Sequence, residues 1–292
     1  MMSKKNIVLT ILHNYSYPFI EPFIKSFFQA KVDAELVIFT SESVSFFTRQ
    51  MLKDTKIKLI YFNSKNPLLS IDESLTEGIT KDISINNFRF LLFLDFLLKN
   101  KEKYENVMMT DIRDVIFQVN PFNFLPKESI CFFLEDPIMS FKDTDINYGW
   151  SVEANGKAFT DSIFDRRVSC AGITSGNIRI IIDYLQNMRE NLKGRQQLKW
   201  GIDQGIHNGY LYGQNNIPKS IFDNSHRIVG TLGACKIYDL NSNTEVTNNK
   251  NEIYCIVHQY DRISELFLIM KKKYIGDRFI QIAKRILFVI LP

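Results

Sequence analysis

Two aspartates and an arginine directly follow a short apolar run near the middle of the chain. Residues 107–109 are Val-Met-Met, and Asp111, Arg113 and Asp114 come next. Such a run is typical of a buried strand, and open α/β sheets bind ligands at the carboxyl ends of their strands. Carboxylates suit Mg²⁺ or Mn²⁺, which proteins commonly hold together with substrate phosphates. The pattern indicates a divalent-cation site facing a diphosphate; the alternative is a strand end with a solvated Asp–Arg pair.

The spacing of the two aspartates limits how both could reach one ion. In an extended backbone only residues two apart share a face, so a turn must intervene between Asp111 and Asp114. Alternatively, Asp111 alone binds the ion while Arg113, on the same face, neutralises the phosphates directly. We favour both aspartates as ligands.

The bulk composition is that of an ordinary globular protein. Of the 292 residues, 45% are hydrophobic and 23% are charged, and 24 phenylalanines supply ample core volume. The cysteines lie far apart without a Cys-x-x-Cys pair, which argues against a zinc site and a disulfide framework. We interpret them as buried thiols in a reducing compartment and expect a cytoplasmic protein. The four are Cys131, Cys170, Cys235 and Cys255.

Strand and helix patterns alternate through the first half of the chain. This alternation predicts right-handed βαβ units, and therefore an α/β domain with a mostly parallel sheet covered by helices on both faces. The β-rich runs are 7–12, 35–40, 57–62 and 130–134, and the runs with apolar side chains at helical spacing are 19–28, 44–52 and 83–100.

The second half of the chain carries weaker signals. Residues 141–164 are polar with few periodic positions, which predicts an irregular excursion that could fold over a site. Asn177 opens a predicted helix, and a second predicted helix over 200–212 carries Asp203 near its start. Short strands complete one domain spanning residues 1–262; they are predicted over 227–229, 236–240 and 253–257.

The remaining residues, 263–292, form a basic tail. From Arg262 onward seven basic residues accompany two acidic ones, a net charge of +5, so the preceding chain lacks the basic face of a nucleic-acid binder. A basic amphipathic helix suits the plane of an anionic membrane, which would make the protein peripheral on the inner face of the membrane. Packing on the domain or on a partner subunit is the alternative. The apolar stripe consists of Phe279, Ile282, Ala283, Ile286 and Ile290.

Several short motifs, taken in order, resemble those of bacterial GT-A fold glycosyltransferases, a group within the nucleotide-diphospho-sugar transferase superfamily. The resemblance covers roughly Asn6 to Arg262. It implies a Rossmann-like sheet with a nucleotide-sugar at the carboxyl ends of the first strands. The motifs are Asn-Phe-Arg-Phe from Asn87, Thr-Asp-Ile-Arg-Asp from Thr110, Cys-Ala-Gly-Ile from Cys170, Asp203-Gln204, and Val-His-Gln-Tyr-Asp-Arg from Val257.

In that superfamily an acidic "DxD" motif holds Mn²⁺ or Mg²⁺ against the diphosphate. Asp111 and Asp114 resemble this motif, although two residues rather than one separate the acids of this chain. His258 resembles the late histidine that completes metal coordination in the glycogenin-like members. The resemblance therefore implies Mn²⁺ or Mg²⁺ bound by these three side chains.

Other residues resemble family positions that contact the donor. Arg89 would face the diphosphate or an acid of the motif, and the turn formed by Ala171 and Gly172 would lie against the donor sugar, where glycine allows a backbone amide to approach closely. Arg113 is a phosphate-binding candidate from its own chemistry rather than from the resemblance. For Arg89, a solvated arginine on a helix face is the alternative.

Asp203 and Gln204 resemble the late acid–amide pair near the reacting centre, where they would bond to sugar hydroxyls or orient the acceptor. Asp136 is a further catalytic candidate, with a simple loop acid as the alternative. The residues placed to meet the base and ribose of the donor are His13, Asn14 and Tyr15.

The residues and the resemblance together predict a metal-dependent glycosyltransferase. It would transfer a hexose-type sugar from a nucleotide-sugar, expected to be a UDP-sugar, to a glycan or glycolipid acceptor in cell-surface polysaccharide synthesis. The late histidine favours a retaining course, whereas an inverting course would need a general base such as Asp203 or Asp136. The alternatives are a metal-dependent phosphohydrolase or nucleotidyltransferase, and a non-catalytic membrane- or glycan-binding module.

Overall fold

The computed structural model describes residues 4–53, 55–135, 139–213, 216–233 and 238–276. Strands and helices alternate through the first third of the chain, as the periodicity predicts. The strands are β1 (Lys5–Leu12), β2 (Glu35–Ser41), β3 (Lys58–Phe62), β4 (Tyr104–Thr110), β5 (Val115–Phe117), β6 (Ile130–Leu134), β7 (Ser169–Asn177), β8 (Lys219–Phe222), β9 (Val229–Thr231), β10 (Asp239–Leu240), β11 (Val246–Thr247) and β12 (Ile256–His258). The helices are α1 (Tyr17–Gln29), α2 (Phe46–Lys53), α3 (Ile85–Asn100), α4 (Asp145–Asn155), α5 (Lys157–Ser162), α6 (Ile178–Leu192), α7 (Ile202–Gly213) and α8 (Ser264–Ile275).

A seven-stranded, mostly parallel sheet forms the centre of the α/β fold, with the order β3-β2-β1-β4-β7-β6-β8. β1 pairs in parallel with β2 and β4, and β7 runs antiparallel to both of its neighbours. The sequence analysis placed a turn at Ala171 and Gly172, and this was wrong because both residues lie within β7. Small residues allow the close packing of β7, which is buried along almost its whole length.

Period-two alternation distributes the strand side chains to two separate apolar cores. Ile7 and Leu9 of β1 face the core built with α3, α6 and α7, whereas Val8 between them faces the core built with α1. The strands of a sheet covered on both faces are apolar in nearly continuous runs, which is the pattern that β1, β2 and β4 show. Helices therefore cover both faces of the sheet.

The strand order reverses between β1 and β4. The chain runs from β1 through β2 to β3 at one edge, and then crosses back to place β4 on the other side of β1. Such a switch point leaves a crevice beyond the carboxyl ends of the two strands, which is the usual ligand site of an open α/β sheet. Asp111 follows β4 directly at this crevice.

A small second sheet brings a distant part of the chain to the same place. Its order is β5-β12-β9, with β5 antiparallel to β12 and β9 parallel to it. The register pairs His258, the last residue of β12, with Val115, the first residue of β5. Because Asp114 immediately precedes Val115, this register alone places His258 beside the second aspartate.

Residues 141–164, predicted to be irregular, instead contain the helices α4 and α5. The prediction was wrong because the buried positions of α4 are Asn147, Ser151 and Ala154, which are polar or small and carry no apolar period. Helix α4 packs on α7 along glycines spaced four residues apart. A Cβ atom added to Gly205 would lie 2.3 Å from the carbonyl oxygen of Trp150. The two backbones therefore approach closely.

The first part of the predicted tail packs on the domain. In α8, Leu266, Met270 and Tyr274 are buried in a cluster that also holds Val257. Lys271 is buried as well, and its Nζ donates a hydrogen bond to the carbonyl oxygen of Pro18 at 2.7 Å. The predicted apolar stripe over residues 279–290 lies outside the described residues. Within the described part of the chain, every helix is too short or too polar to cross a bilayer.

We expect Gly205→Ala to destabilise the fold by about 1–3 kcal/mol, because the new methyl group meets a backbone oxygen that cannot move independently. The free energy of unfolding from urea titration measures this effect. Gly149→Ala in the exposed part of α4 is the matched control, since its Cβ would meet nothing within 4 Å. The control is expected to be neutral or slightly stabilising. Equal free energies of unfolding for the two variants would contradict close α4–α7 packing.

Candidate functional site

A cleft of about 550 Å³ lies at the switch point of the large sheet. The ends of β1, β4 and β6 reach it, together with the first residues of β7 and α7. Acidic, basic and amide side chains line its floor, whereas Trp150, Trp200 and Ile146 line one wall. The cleft therefore combines charged groups that could hold an ionic ligand with an apolar wall.

Asp111 and Asp114 line the cleft, and the buried His258 lies next to them, so that one ligand atom from each of the three lies within 4.8 Å of the others. The Nε2 atom of His258 is 3.7 Å from Asp111 Oδ2 and 3.9 Å from Asp114 Oδ1. These distances are too long for hydrogen bonds. Two ligands of one Mg²⁺, each at ~2.1 Å, lie between ~3 and ~4.2 Å apart, depending on their angle. The two distances from His258 therefore match those between ligands of one small divalent cation.

The imidazole of His258 supports the same conclusion. The residue is 1% exposed, and neither of its ring nitrogens has a hydrogen-bond partner among the described residues. A buried polar nitrogen without a partner costs about 1–3 kcal/mol, so proteins rarely leave one in that state. A cation bound at Nε2 would satisfy the nitrogen that faces the two carboxylates.

The turn that both aspartates need is present. Residues 111–114 form a bend between β4 and β5, and backbone hydrogen bonds hold both of its ends. The Asp111 amide donates to the Gly172 carbonyl at 2.8 Å, and the Gln259 amide donates to the Asp114 carbonyl at 2.8 Å. Gln259 adopts a left-handed backbone with φ of 60°, an uncommon conformation for a residue with a side chain. The backbone therefore presets the positions of the two acids.

Gly172 of β7 lies against the same three-residue cluster. A Cβ atom at this position would be 2.5 Å from Asp111 Oδ2 and 2.8 Å from His258 Cε1. The sequence analysis assigned this glycine to the donor sugar. In the structure, the close approach that requires glycine is to the aspartate and the histidine.

The guanidinium of Arg89 lies between two acidic side chains, Asp111 and Asp203, and pairs with both. It bonds to Asp111, to the Ala171 carbonyl oxygen and, at 3.1 Å, to Asp203 Oδ2. The arginine is 8% exposed, so it is not the solvated helix-face residue that the sequence left open. A buried arginine between two carboxylates offsets the cost of burying them and fixes their orientation.

The pKa values of the two aspartates in the cluster shift in opposite directions. Burial opposes ionisation of Asp111, but Arg89 and His258 outweigh this effect and lower its pKa to about 2. Burial and the neighbouring Asp111 charge raise the pKa of Asp114. Burial lowers the pKa of His258, but the two carboxylates outweigh burial, so its pKa lies above the ordinary value. A divalent cation next to Asp114 would favour its ionised form and so oppose the effect of burial and of the Asp111 charge.

The first turn of α7 supports the cleft wall. Asp203 is buried in its ion pair with Arg89, and burial raises its pKa. Gln204 bonds to the backbone of β7: its Oε1 accepts from the Ala171 amide at 2.8 Å and its Nε2 donates to the Ser169 carbonyl at 3.1 Å. Gln204 therefore positions β7, and both side chains line the cleft.

Arg113 and Tyr15 lie together at the opposite side of the cleft. The Arg113 guanidinium is 5.8 Å from the centre of the Tyr15 ring and pairs with Asp261 at 2.9 Å. His13 lies outside the lining, and its Nδ1 hydrogen-bonds with the hydroxyl of Ser41 at 2.8 Å. Asn14 is likewise absent from the described lining residues. Asp136 lies outside the described residues.

Sequence reasoning missed several residues of the cleft. Glu135, which with Asp136 ends the predicted strand over 130–134 at the same rim as Asp111, is 8% exposed, and burial raises its pKa; only Asp136 was named as a catalytic candidate. Asn147 and Trp150 were missed because α4 was missed. Trp200 could have been found, since it lies three residues before Asp203 in a chain with only two tryptophans.

Compared with known proteins, the chain matches no protein-family model and no curated protein. The function of the cleft therefore has to be inferred from its residues.

We expect the protein to bind Mn²⁺ with an affinity that falls as the pH drops through the raised pKa of His258, by up to about tenfold per pH unit, because a proton competes for Nε2. Isothermal titration calorimetry across about pH 6 to 8 measures this dependence. His258→Gln should weaken binding and remove the pH dependence, whereas His226→Gln, at a half-exposed histidine outside the cleft, should change neither. A pH-independent affinity in the unmodified protein would contradict ligation by His258.

Gly172→Ala should lower the Mn²⁺ affinity by about tenfold or more, because the methyl group displaces Asp111 and His258 from their shared position. The same calorimetric titration provides the measurement, and cooperative unfolding shows that the variant is folded. Gly149→Ala is expected to bind as the unmodified protein does. An unchanged affinity in Gly172→Ala would show that the glycine does not shape the cation site.

Proposed function

We propose that this protein is a metal-dependent glycosyltransferase that moves a hexose-type sugar from a nucleotide-sugar, with UDP-sugars as the expected donors, to a glycan or glycolipid. The observation that carries this proposal is the convergence of Asp111, Asp114 and His258 at the switch-point cleft, where the imidazole has no hydrogen-bond partner in the described part of the chain. The motif resemblance to GT-A fold enzymes supports the same activity.

The chemistry of sugar transfer explains why such a cluster is useful. Cleavage of the anomeric C–O bond leaves a nucleoside diphosphate with growing negative charge, and a bound Mn²⁺ or Mg²⁺ would stabilise that charge as a Lewis acid. Asp111, Asp114 and His258 would hold the ion with open positions for the diphosphate. Arg89 keeps Asp111 ionised and correctly oriented, because its guanidinium bonds directly to that carboxylate.

Arg113 is the basic residue that could reach the diphosphate itself. Its side chain remains 42% exposed at the cleft, although Asp261 holds one edge of the guanidinium. The remaining donors of the planar guanidinium are suited to phosphate oxygens. Tyr15, which lies under this arginine, offers an aromatic surface next to the proposed phosphate position.

We propose a retaining course, as the late histidine suggests, and the ion pair of Asp203 supports it by weakening one candidate for the base of an inverting course. An inverting transferase needs a general base that can accept the proton of the acceptor hydroxyl. Asp203 is engaged by Arg89 at 3.1 Å and is 5% exposed, so its carboxylate serves the internal ion pair. We therefore assign Asp203 and Gln204 to positioning the substrates and the cleft wall.

We expect UDP and Mn²⁺ together to raise the melting temperature, because each ligand completes the binding site of the other, and either alone to have a smaller effect. In a panel of UDP-sugars, at least one should release UDP in the presence of Mn²⁺. Asp111→Ala should reduce this release by about 100-fold. Asp165→Ala, at an aspartate whose side chain is 81% exposed, is the matched control and should retain full activity.

Different outcomes of this experiment identify the rival functions. Release of orthophosphate from nucleotides, without sugar transfer, would indicate a phosphohydrolase, and incorporation of a nucleotide would indicate a nucleotidyltransferase. Carbohydrate binding without any turnover would indicate a non-catalytic module. Each of these results would overturn the proposed transferase activity.

A further inference from the structure

The two tryptophans of the chain lie against each other on one wall of the cleft. Their ring centres are 4.6 Å apart and their planes meet at 84°. Trp200 remains 63% exposed, and Ile146 beside it on the lining is 62% exposed. Large apolar side chains exposed within a polar cleft are unusual unless a ligand covers them.

The backbone holds this pair in place. A Cβ atom at Gly201 would lie 2.2 Å from Trp150 Nε1, so the indole of Trp150 packs directly on the backbone next to Trp200. In an edge-to-face contact the edge of one ring meets one face of the other ring, and the remaining ring surfaces are not covered by the contact. The indole of Trp200 therefore keeps surface available to a ligand, and its position is set by the packing of α4 on α7.

Polar groups surround the aromatic wall. Asn147 lies in the first turn of α4, is 8% exposed and accepts a hydrogen bond from Gln204 Nε2 at 3.4 Å. Asn86 and Thr144 also line this part of the cleft. A sugar ring has an apolar C–H face and a rim of hydroxyl groups, so an indole beside amide and hydroxyl groups matches both parts.

The two tryptophans lie away from the part of the cleft at the β1–β4 switch point, where a nucleotide would bind. The strands β1, β4 and β7 are neighbours in this order in the large sheet. Tyr15 follows β1 and Asp111 follows β4. Trp200 precedes α7, which packs on β7. The cation cluster therefore lies between Tyr15 and the two tryptophans. A nucleotide bound at the switch point of β1 and β4 would leave the tryptophan wall for the second substrate.

We propose that Trp200, supported by Trp150, forms the subsite for a sugar ring of the acceptor. This inference rests on the proposed transferase function and names the chemical class of its second substrate. The indole of Trp200 stacks on the C–H face of the ring, while the neighbouring amide and hydroxyl groups bond to its hydroxyls. The stacking orients the acceptor hydroxyl towards the cation cluster.

The test uses methyl glucoside, methyl galactoside, N-acetylglucosamine and maltose as probes, with UDP and Mn²⁺ present. Since both tryptophans line this wall, their fluorescence reports on it directly, and at least one of these sugars should change the emission of the unmodified protein. Trp200→Ala should raise the sugar concentration needed for half-maximal stimulation of UDP release by about tenfold, whereas Trp200→Phe should raise it less. Phe46→Ala, at a phenylalanine that is 69% exposed outside the cleft, should have no effect.

Donor hydrolysis in the absence of sugar separates this proposal from the proposed function. Trp200→Ala should weaken the response to the sugars much more than it weakens the Mn²⁺-dependent hydrolysis of the UDP-sugar or the stabilisation by UDP with Mn²⁺. An equal or larger loss of either donor property would place the indole on the donor and overturn the acceptor subsite. The absence of any fluorescence or rate response to all four sugars would also overturn it. If the unmodified protein neither binds UDP with Mn²⁺ nor hydrolyses the donor, the transferase function itself fails, whatever the tryptophans do.

Discussion

The burial of several carboxylates beside one another is the physical constraint on which the site depends. Asp111, Asp114 and Asp203 share a cleft floor, where like charges repel and water screens them poorly. Arg89 offsets two of these charges through its direct ion pairs. Asp114 is left with a raised pKa, and the neighbouring imidazole of His258 has no hydrogen-bond partner among the residues that the structure describes. A divalent cation would favour the ionised form of Asp114 and would also bind the imidazole nitrogen of His258.

Four features of the fold bring these groups together. The reversal of strand order between β1 and β4 opens the crevice, and the bend over residues 111–114 turns both aspartates into it. The register of β12 on β5 adds His258 from more than 140 residues downstream. β7 passes close by because Gly172 has no side chain. Each of these features is a property of the backbone, so the backbone fixes the directions from which the three side chains approach one another.

The close packing of α4 on α7 at their glycine contacts likewise positions the residues of the wall that holds the two tryptophans. It lets Trp150 pack on the backbone at Gly201 and places Asn147 beside Gln204. The amide of Gln204 in turn ties α7 to β7. The aromatic wall and the cation cluster therefore share one connected support, in which the α4–α7 packing and the β7 backbone are the common elements.

The sequence alone determined the alternation of strands and helices, the strand that ends at Asp111, and the need for a turn between the two aspartates. These features follow from local periodicity and from the period-two geometry of a strand, so they can be inferred from neighbouring residues. The motif resemblance also implied that His258 meets the two aspartates at one ion and that Arg89 faces the diphosphate or an acid of the motif, but the residues themselves gave neither the distances nor the second ion pair of Arg89 with Asp203. Helix α4 escaped prediction because its buried face is polar and small rather than apolar. The distances between His258 and the aspartates, the ion pair of Arg89 with Asp203 and the paired tryptophans were decided only by the tertiary structure. Each depends on strand register or helix packing between segments far apart in the chain, and no local pattern encodes those distances.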